Sequence, residues 1–319
     1  LVRERTTLHR AIAETIEQVY AEALEPHLGD LAYHFFEAQA WEPALRYAQR
    51  AGARAQRLHA VHATVEHLTR ALEAARQLTT VAPLDKLPRL NLTRTQLALE
   101  RGRAYEALGR FPPARADYTT TLELARASDD TRLEWQALHQ LGMLWTGRDY
   151  AQAGSYYQQA LELARRLDDP ALIGHSLNRI GNWHANAAEP QEALRLHHEA
   201  FAIFEQITDR NGMAETLQLL GTAGHLSADT DGSVRYFEQA TRLYQELGDE
   251  RGWITSLTMT MLRSSTYTST PRSASTAGFQ QAVRDGEQAL ARAQAREWHT
   301  IEAFVLYMLG SILGPAGEY

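Results

Sequence analysis

The sequence predicts an all-α fold, a right-handed superhelical solenoid of antiparallel helix pairs. Three observations predict it. A segment recurs: Leu138-x-x-Leu141-Gly142 leads to Ala160-Leu161, Leu177-x-x-Ile180-Gly181 to Ala200-Phe201, and Leu217-x-x-Leu220-Gly221 to Ala240-Thr241. The glycines lie 39 and 40 residues apart (181 − 142, 221 − 181), and each precedes its alanine by 18 or 19 (160 − 142, 200 − 181, 240 − 221). A fixed period of that length marks a repeat architecture. Composition favours helix, with Ala, Leu, Arg, Glu and Gln abundant and only 10 prolines in 319 residues. Apolar residues also recur at helical steps, as in Leu8, Ile12, Ile16 and Val19.

Taken in order, that stripe predicts a helix over 4–24, stopped at Pro26. A second helix is expected over 28–39, carrying Leu31, Ala32, Phe35 and Phe36. Trp41-Glu42-Pro43 restarts the chain, because proline fits a first helical turn, and the next helix runs to about Leu58. Another follows over 61–78, with Val65, Leu68, Ala71 and Leu72 inward. Pro83 and Pro88 interrupt the pattern. Residues 1–80 therefore read as an irregular helical section, 81–88 as a connector and 89–319 as the array. Gly102 opens the series, with Arg101 where later copies have Leu or Ile. Its second helix starts near Pro112 and Pro113 and carries Tyr118. Met261 takes the glycine position in a later copy, and a Ser/Thr-rich loop insertion is expected over 264–278. Leu306-x-x-Leu309-Gly310 opens a last copy that stops before its second helix. The chain does not begin with Met, so it reads as a piece of a longer protein.

Between copies lie acidic turns: Asp129-Asp130, Asp168-Asp169-Pro170, Thr208-Asp209 and Gly248-Asp249. Helix capping is their expected role, in preference to a row of cation ligands.

Bulk properties narrow the function. The net charge of −7 gives no general attraction to nucleic acid. No apolar run approaches the ~20 residues that span a bilayer, so no membrane partner is expected. Cysteine is absent, which excludes disulfides and thiolate metal sites and fits a cytoplasmic location. Lys86 is the only lysine.

The Leu-x-x-Leu/Ile-Gly and Ala-Leu elements, with Tyr157, His197 and Phe237 three residues before the alanine, resemble the tetratricopeptide repeat. Small residues allow close helix approach and larger ones fill the gaps between neighbours. The likeness covers about 90–319 well and 28–78 more loosely. A period near 40 is similar to the longer-helix subclass of kinesin light chains and of sensor modules in bacterial ATPase regulators. Leu8-His9-Arg10-Ala11-Ile12-Ala13, Leu31-Ala32-Tyr33-His34-Phe35 and Ala44-Leu45-Arg46-Tyr47 resemble the segment after the winged helix in bacterial signal-transduction ATPases with numerous domains. That resemblance implies an upstream ATPase. The chain itself contains no G-x-x-x-x-G-K-[ST] and no cofactor is expected in it.

No enzymatic constellation stands out: H-E-x-x-H and G-x-S-x-G are both missing. His59 and His62, with Glu66, have metal-ligand side chains on what reads as one helix, but lack a fourth ligand. His197 occupies the aromatic position and is expected in the core. The repeat resemblance implies that first helices line a concave surface, reached by counting from each glycine. From Gly142 the inward residues are Gln136, His139, Gln140, Met143 and Thr146. From Gly181 they are His175, Asn178, Arg179, Asn182 and Ala185; from Gly221, Glu215, Gln218, Leu219, Thr222 and His225. Amides both donate and accept, so such a row suits an extended peptide backbone, and Arg179 suits a carboxylate. Asn178 and Asn182, one turn apart, resemble backbone-gripping asparagines. The expected ligand face therefore comprises Gln136, His139, Gln140, Met143, Asn178, Arg179, Asn182, Gln218, Thr222 and His225. Its expected occupant is a peptide, a protein or a small inducer. The alternative is a scaffold or end-to-end self-association platform exposing Phe304, Leu306 and Leu309.

Overall fold

The computed structural model describes residues 2–264 and 276–316. Among them are fifteen α-helices and no strand. In order these are α1 (Val2–Val19), α2 (Leu28–Glu37), α3 (Trp41–Arg57), α4 (Val61–Val81), α5 (Leu87–Ala107), α6 (Phe111–Ala127), α7 (Thr131–Trp145) and α8 (Tyr150–Leu167). Then follow α9 (Pro170–Asn186), α10 (Pro190–Gln206), α11 (Arg210–Leu226), α12 (Thr230–Leu247), α13 (Glu250–Met259), α14 (Thr276–Ala295) and α15 (His299–Ala316). Short 3-10 turns cover Glu25–His27, Leu84–Lys86 and Thr260–Ser264. The chain divides into two compact units, 1–160 and 161–319. In each, consecutive helices pack as antiparallel pairs. The first unit has a core around Leu28, Leu31, Phe35, Tyr47 and Leu68; the second around Phe237, Ile254, Met261, Val305 and Ile312.

The acidic turns start the first helices. Asp130, Asp169, Asp209 and Asp249 each accept the backbone N–H three residues on, at 3.0, 3.1, 3.0 and 3.0 Å. Each thereby satisfies a donor that the first turn leaves free. The residue before each cap is left-handed: φ is 53° at Asp129, 52° at Asp168, 54° at Thr208 and 71° at Gly248. That conformation reverses the chain between helices.

The glycines are helix crossings. A Cβ on Gly102, Gly181 or Gly221 would fall 2.5, 2.5 and 2.7 Å from the rings of Tyr118, His197 and Phe237, and Gly142 meets Tyr157 the same way. Any side chain there would push the second helix away. Arg101, the departure from the pattern, does not pack as an apolar residue. It forms a two-pronged ion pair with Asp117 (2.8 and 2.7 Å) and reaches Thr69 of α4 at 3.1 Å.

Several expected details differ. α1 ends at Val19, not at residue 24, and buries only Ala13 fully; Leu8 and Val19 are exposed. One neighbouring helix cannot cover the whole predicted stripe. Thr64, rather than Val65, is buried on α4. His59 lies in the turn before α4 at φ 53°, so it does not share a helix with His62. Leu309 is buried against Gly286, while Leu306 stays exposed. Of the stretch 264–278, residues 265–275 lie outside the described residues; Ser264 closes a 3-10 turn and Thr276 opens α14.

Candidate ligand face of the first helices

In unit 1 the face is formed by α5 and α7. Gln96 and Gln136 occupy the same position, six before Gly102 and Gly142, and both line a cleft of about 310 Å³. Glu100, Arg103, Asp130 and Arg132 complete its polar wall. Burial raises the Glu100 carboxyl above its ordinary pKa, and Arg103 opposes the rise. Gln96, Glu100 and Arg103 stand at the same offsets from Gly102 as the inward residues of the later copies do from their glycines. Gln140 is half-buried and Met143 exposed. His139 lies beneath the surface, stacked on Trp135 at 5.2 Å and edge-on to Tyr157 at 6.4 Å.

In unit 2, α9 and α11 bring together His175, Arg179 and Glu215. Glu215 accepts from Arg179 at 3.4 Å and lies 3.8 Å from His175. Asn182 is half-buried beside them and Thr222 is exposed.

Asn178 lies elsewhere: only 1% exposed, its amide is spent inside the protein. Nδ2 donates to Thr216 Oγ1 of α11 at 2.8 Å, and Oδ1 faces His197 Nδ1 of α10 at 3.1 Å. Gln218 repeats the arrangement one pair later. Its Nε2 donates to Ser256 Oγ of α13 at 2.7 Å, and Tyr244 donates to its Oε1 at 3.0 Å. Thus Asn178 and Gln218, each three before its glycine, form polar rungs to a hydroxyl 38 residues on. The reason is geometric, since that position faces the next first helix rather than solvent. Asn178 and Asn182, one turn apart, are therefore on different layers. The buried hydroxyls Thr216 and Ser256, five before Gly221 and Met261, were the available signal.

His225 lacks the support that its counterparts have. Tyr118 donates to Glu106 at 2.6 Å and Tyr157 hydrogen-bonds Thr146 at 3.0 Å. Glu106 and Thr146 each stand four after their glycine. The corresponding residue after Gly221 is His225, but the ring is Phe237, and His225 Nδ1 is buried without a partner. Phe237→Tyr should supply the missing donor and raise stability by about 1 kcal/mol. A lower thermal midpoint in that variant would refute the equivalence.

Among the described residues no group of three or more His, Asp or Glu side chains is placed to hold a metal ion, and no helix is long and apolar enough to cross a membrane.

This arrangement defines the class. Residues 172–246 match the tetratricopeptide repeat family, and the helix pairs form a tetratricopeptide repeat array. That repeat is a protein-interaction architecture. No curated protein is significantly similar in sequence. Solved structures with the same fold include three of note. One is a signal transduction ATPase with numerous domains, carrying a tetratricopeptide repeat sensor, from Pyrococcus horikoshii. It is 11% identical with a TM-score of 0.60, over 99% of this chain and 50% of that one. Another is a Rap protein complexed with competence and sporulation factor, 14% identical, TM-score 0.56, covering 98% of both chains. The third is the Rap conjugation gene regulator of plasmid pLS20 in complex with the Phr* peptide. It is 13% identical with a TM-score of 0.56, over 88% of this chain and 74% of that one. At these identities the likeness is one of fold.

Proposed function

We propose that the chain is a non-catalytic recognition module of a larger, cytoplasmic bacterial ATPase-type regulator, and that its first-helix face takes an extended peptide or protein segment. One observation carries this reading. After the internal rungs are set aside, Gln136 and Gln140 on the face of unit 1, and separately Asn182 on the face of unit 2, have no side-chain hydrogen bond to another described residue. Arg179 and Glu215, held at only 3.4 Å and partly exposed, add one charge of each sign. Amides spaced by a repeat suit a ligand with a repeating backbone. The peptide-bound Rap regulator and the sensor-bearing ATPase support the reading by fold. A ligand touching several repeats would bias their stacking, and through it the linked domains.

The test is a peptide-library screen followed by titration of Asn182→Ala, Arg179→Ala and Glu215→Ala, all within unit 2. Each should weaken a bound peptide about tenfold, the equivalent of ~1.4 kcal/mol. Asn178→Ala should instead lower stability, because it cuts a rung. Full affinity in all three surface variants would place the ligand elsewhere.

One observation favours the structural alternative. Among the described residues no atom lies within 4 Å of a Cβ built on Gly310, unlike the filled crossings, and Leu306 and Tyr307 on the same helix are 48% and 69% exposed. A dimer in light scattering that Leu306→Arg converts to monomer would support self-association through α15.

A further inference from the structure

A separate cavity opens where the helical pattern is interrupted. α4 ends at Val81, and Ala82 and Pro83 run extended. After one 3-10 turn α5 begins at Leu87. Both α3 and α5 pack against α4, and this detour leaves a wedge of about 420 Å³ between them. Its volume falls in the ~300–1,000 Å³ range of small-ligand sites. Leu45, Leu78, Ala82 and Leu90 form an apolar floor, with Val81 at the mouth 74% exposed. Two cations, Lys86 and Arg89, line the rim, and neither has an ion-pair partner among the described residues. Gln49 and Thr93 add neutral hydrogen-bonding groups, and Glu42 is the one carboxylate of the lining.

We infer that this wedge binds a small amphipathic monoanion, an aryl or medium-chain alkyl carboxylate. Its apolar body covers the leucine floor and its carboxylate meets Lys86 and Arg89. Burying the body removes apolar surface from water, including the exposed Val81 side chain. The two cations supply the charge that selects an anion over its neutral counterpart. An occupant would touch α3, the end of α4 and the start of α5 at once. It would thereby stiffen the passage from the N-terminal helices into the regular pairs, independently of any peptide on the first-helix face.

Calorimetric titration with naphthalene-2-carboxylate tests the site. The expected result is saturable one-to-one binding, at least tenfold weaker in the Lys86→Glu, Arg89→Glu double variant. Naphthalene-2-carboxamide should bind the parent chain more weakly than the acid and should not respond to the charge reversal. Both substituted residues are exposed, and the Lys86→Gln, Arg89→Gln pair serves if the reversal lowers helicity. Asn182→Ala should leave this binding unchanged, which separates its failure from failure of the peptide reading. Absence of saturable binding at millimolar acid, equal binding by parent and charge variants, or equal affinity for acid and amide overturns the inference.

Discussion

Replacing Asp117 with alanine is expected to destabilise the chain by about 3 kcal/mol, because it strands a guanidinium that is mostly, though not fully, withdrawn from water. Asp117 is 5% exposed and the Arg101 side chain 21%. Burial works against the guanidinium charge. Its hydrogen bonds to Asp117 and the charge of Asp117 outweigh that, leaving its pKa above the ordinary value. Arginine cannot escape by losing its proton, so the desolvation cost is fully felt once the partner is gone. The pair itself contributes little net stability, since two charges left water to form it. The array shows the apolar substitute. The α9–α10 pair places buried Ile180 and Leu196 at the positions equivalent to Arg101 and Asp117. The double variant Arg101→Ile, Asp117→Leu should therefore return to within about 1 kcal/mol of the parent or exceed it. Urea titration followed by helix content measures all three chains. A loss below ~1 kcal/mol in Asp117→Ala would mean that water reaches Arg101 and that the buried-charge account is wrong.

Why this pair exists bears on what a sequence can reveal. The crossings were legible because a glycine needs a ring, and ring and glycine keep nearly constant spacing. Arg101 broke the apolar pattern visibly, yet its partner lay on another helix, sixteen residues away, with nothing in the local pattern to select it. The capping aspartates were legible because capping is a local interaction over three residues. The ligand face was legible only in part. An amide looks the same in a sequence whether it grips a peptide or a neighbouring helix. Asn182 and Asn178 differ by one turn, which sends one to the surface and the other towards Thr216. Only the packing of α11 on α9 decides between them. The wedge at Lys86 was invisible for a related reason: the prolines announced an interruption, but which walls it would expose depends on α3, some forty residues earlier.

Acid should loosen the second unit through His197. Thr216 Oγ1 gives its hydrogen to the Gly212 carbonyl at 2.7 Å, so it can only accept from Asn178 Nδ2. Asn178 Oδ1 is then left to accept from His197 Nδ1. The order of donors fixes a neutral imidazole with its hydrogen on Nδ1 and a bare, buried Nε2 that has no partner. Protonation would place an N–H at Nε2 with nothing to receive it. Burial, and then the neighbouring His198, hold the His197 pKa down to about 4, against 6.5 for the free side chain. Between those values the unfolded chain binds a proton that the folded chain refuses. The contribution is therefore intact above pH 6.5 and declines as pH falls towards 4, by about 3 kcal/mol in all. Comparison with His197→Phe separates this effect from carboxylate titration, which both chains share; Phe237 shows that a phenyl ring fits such a crossing. The variant should start less stable at pH 7, since Asn178 Oδ1 loses its donor, and should then lose less between pH 6.5 and 4.5. Parallel stability profiles for the two chains would exclude His197 as the acid-sensitive group.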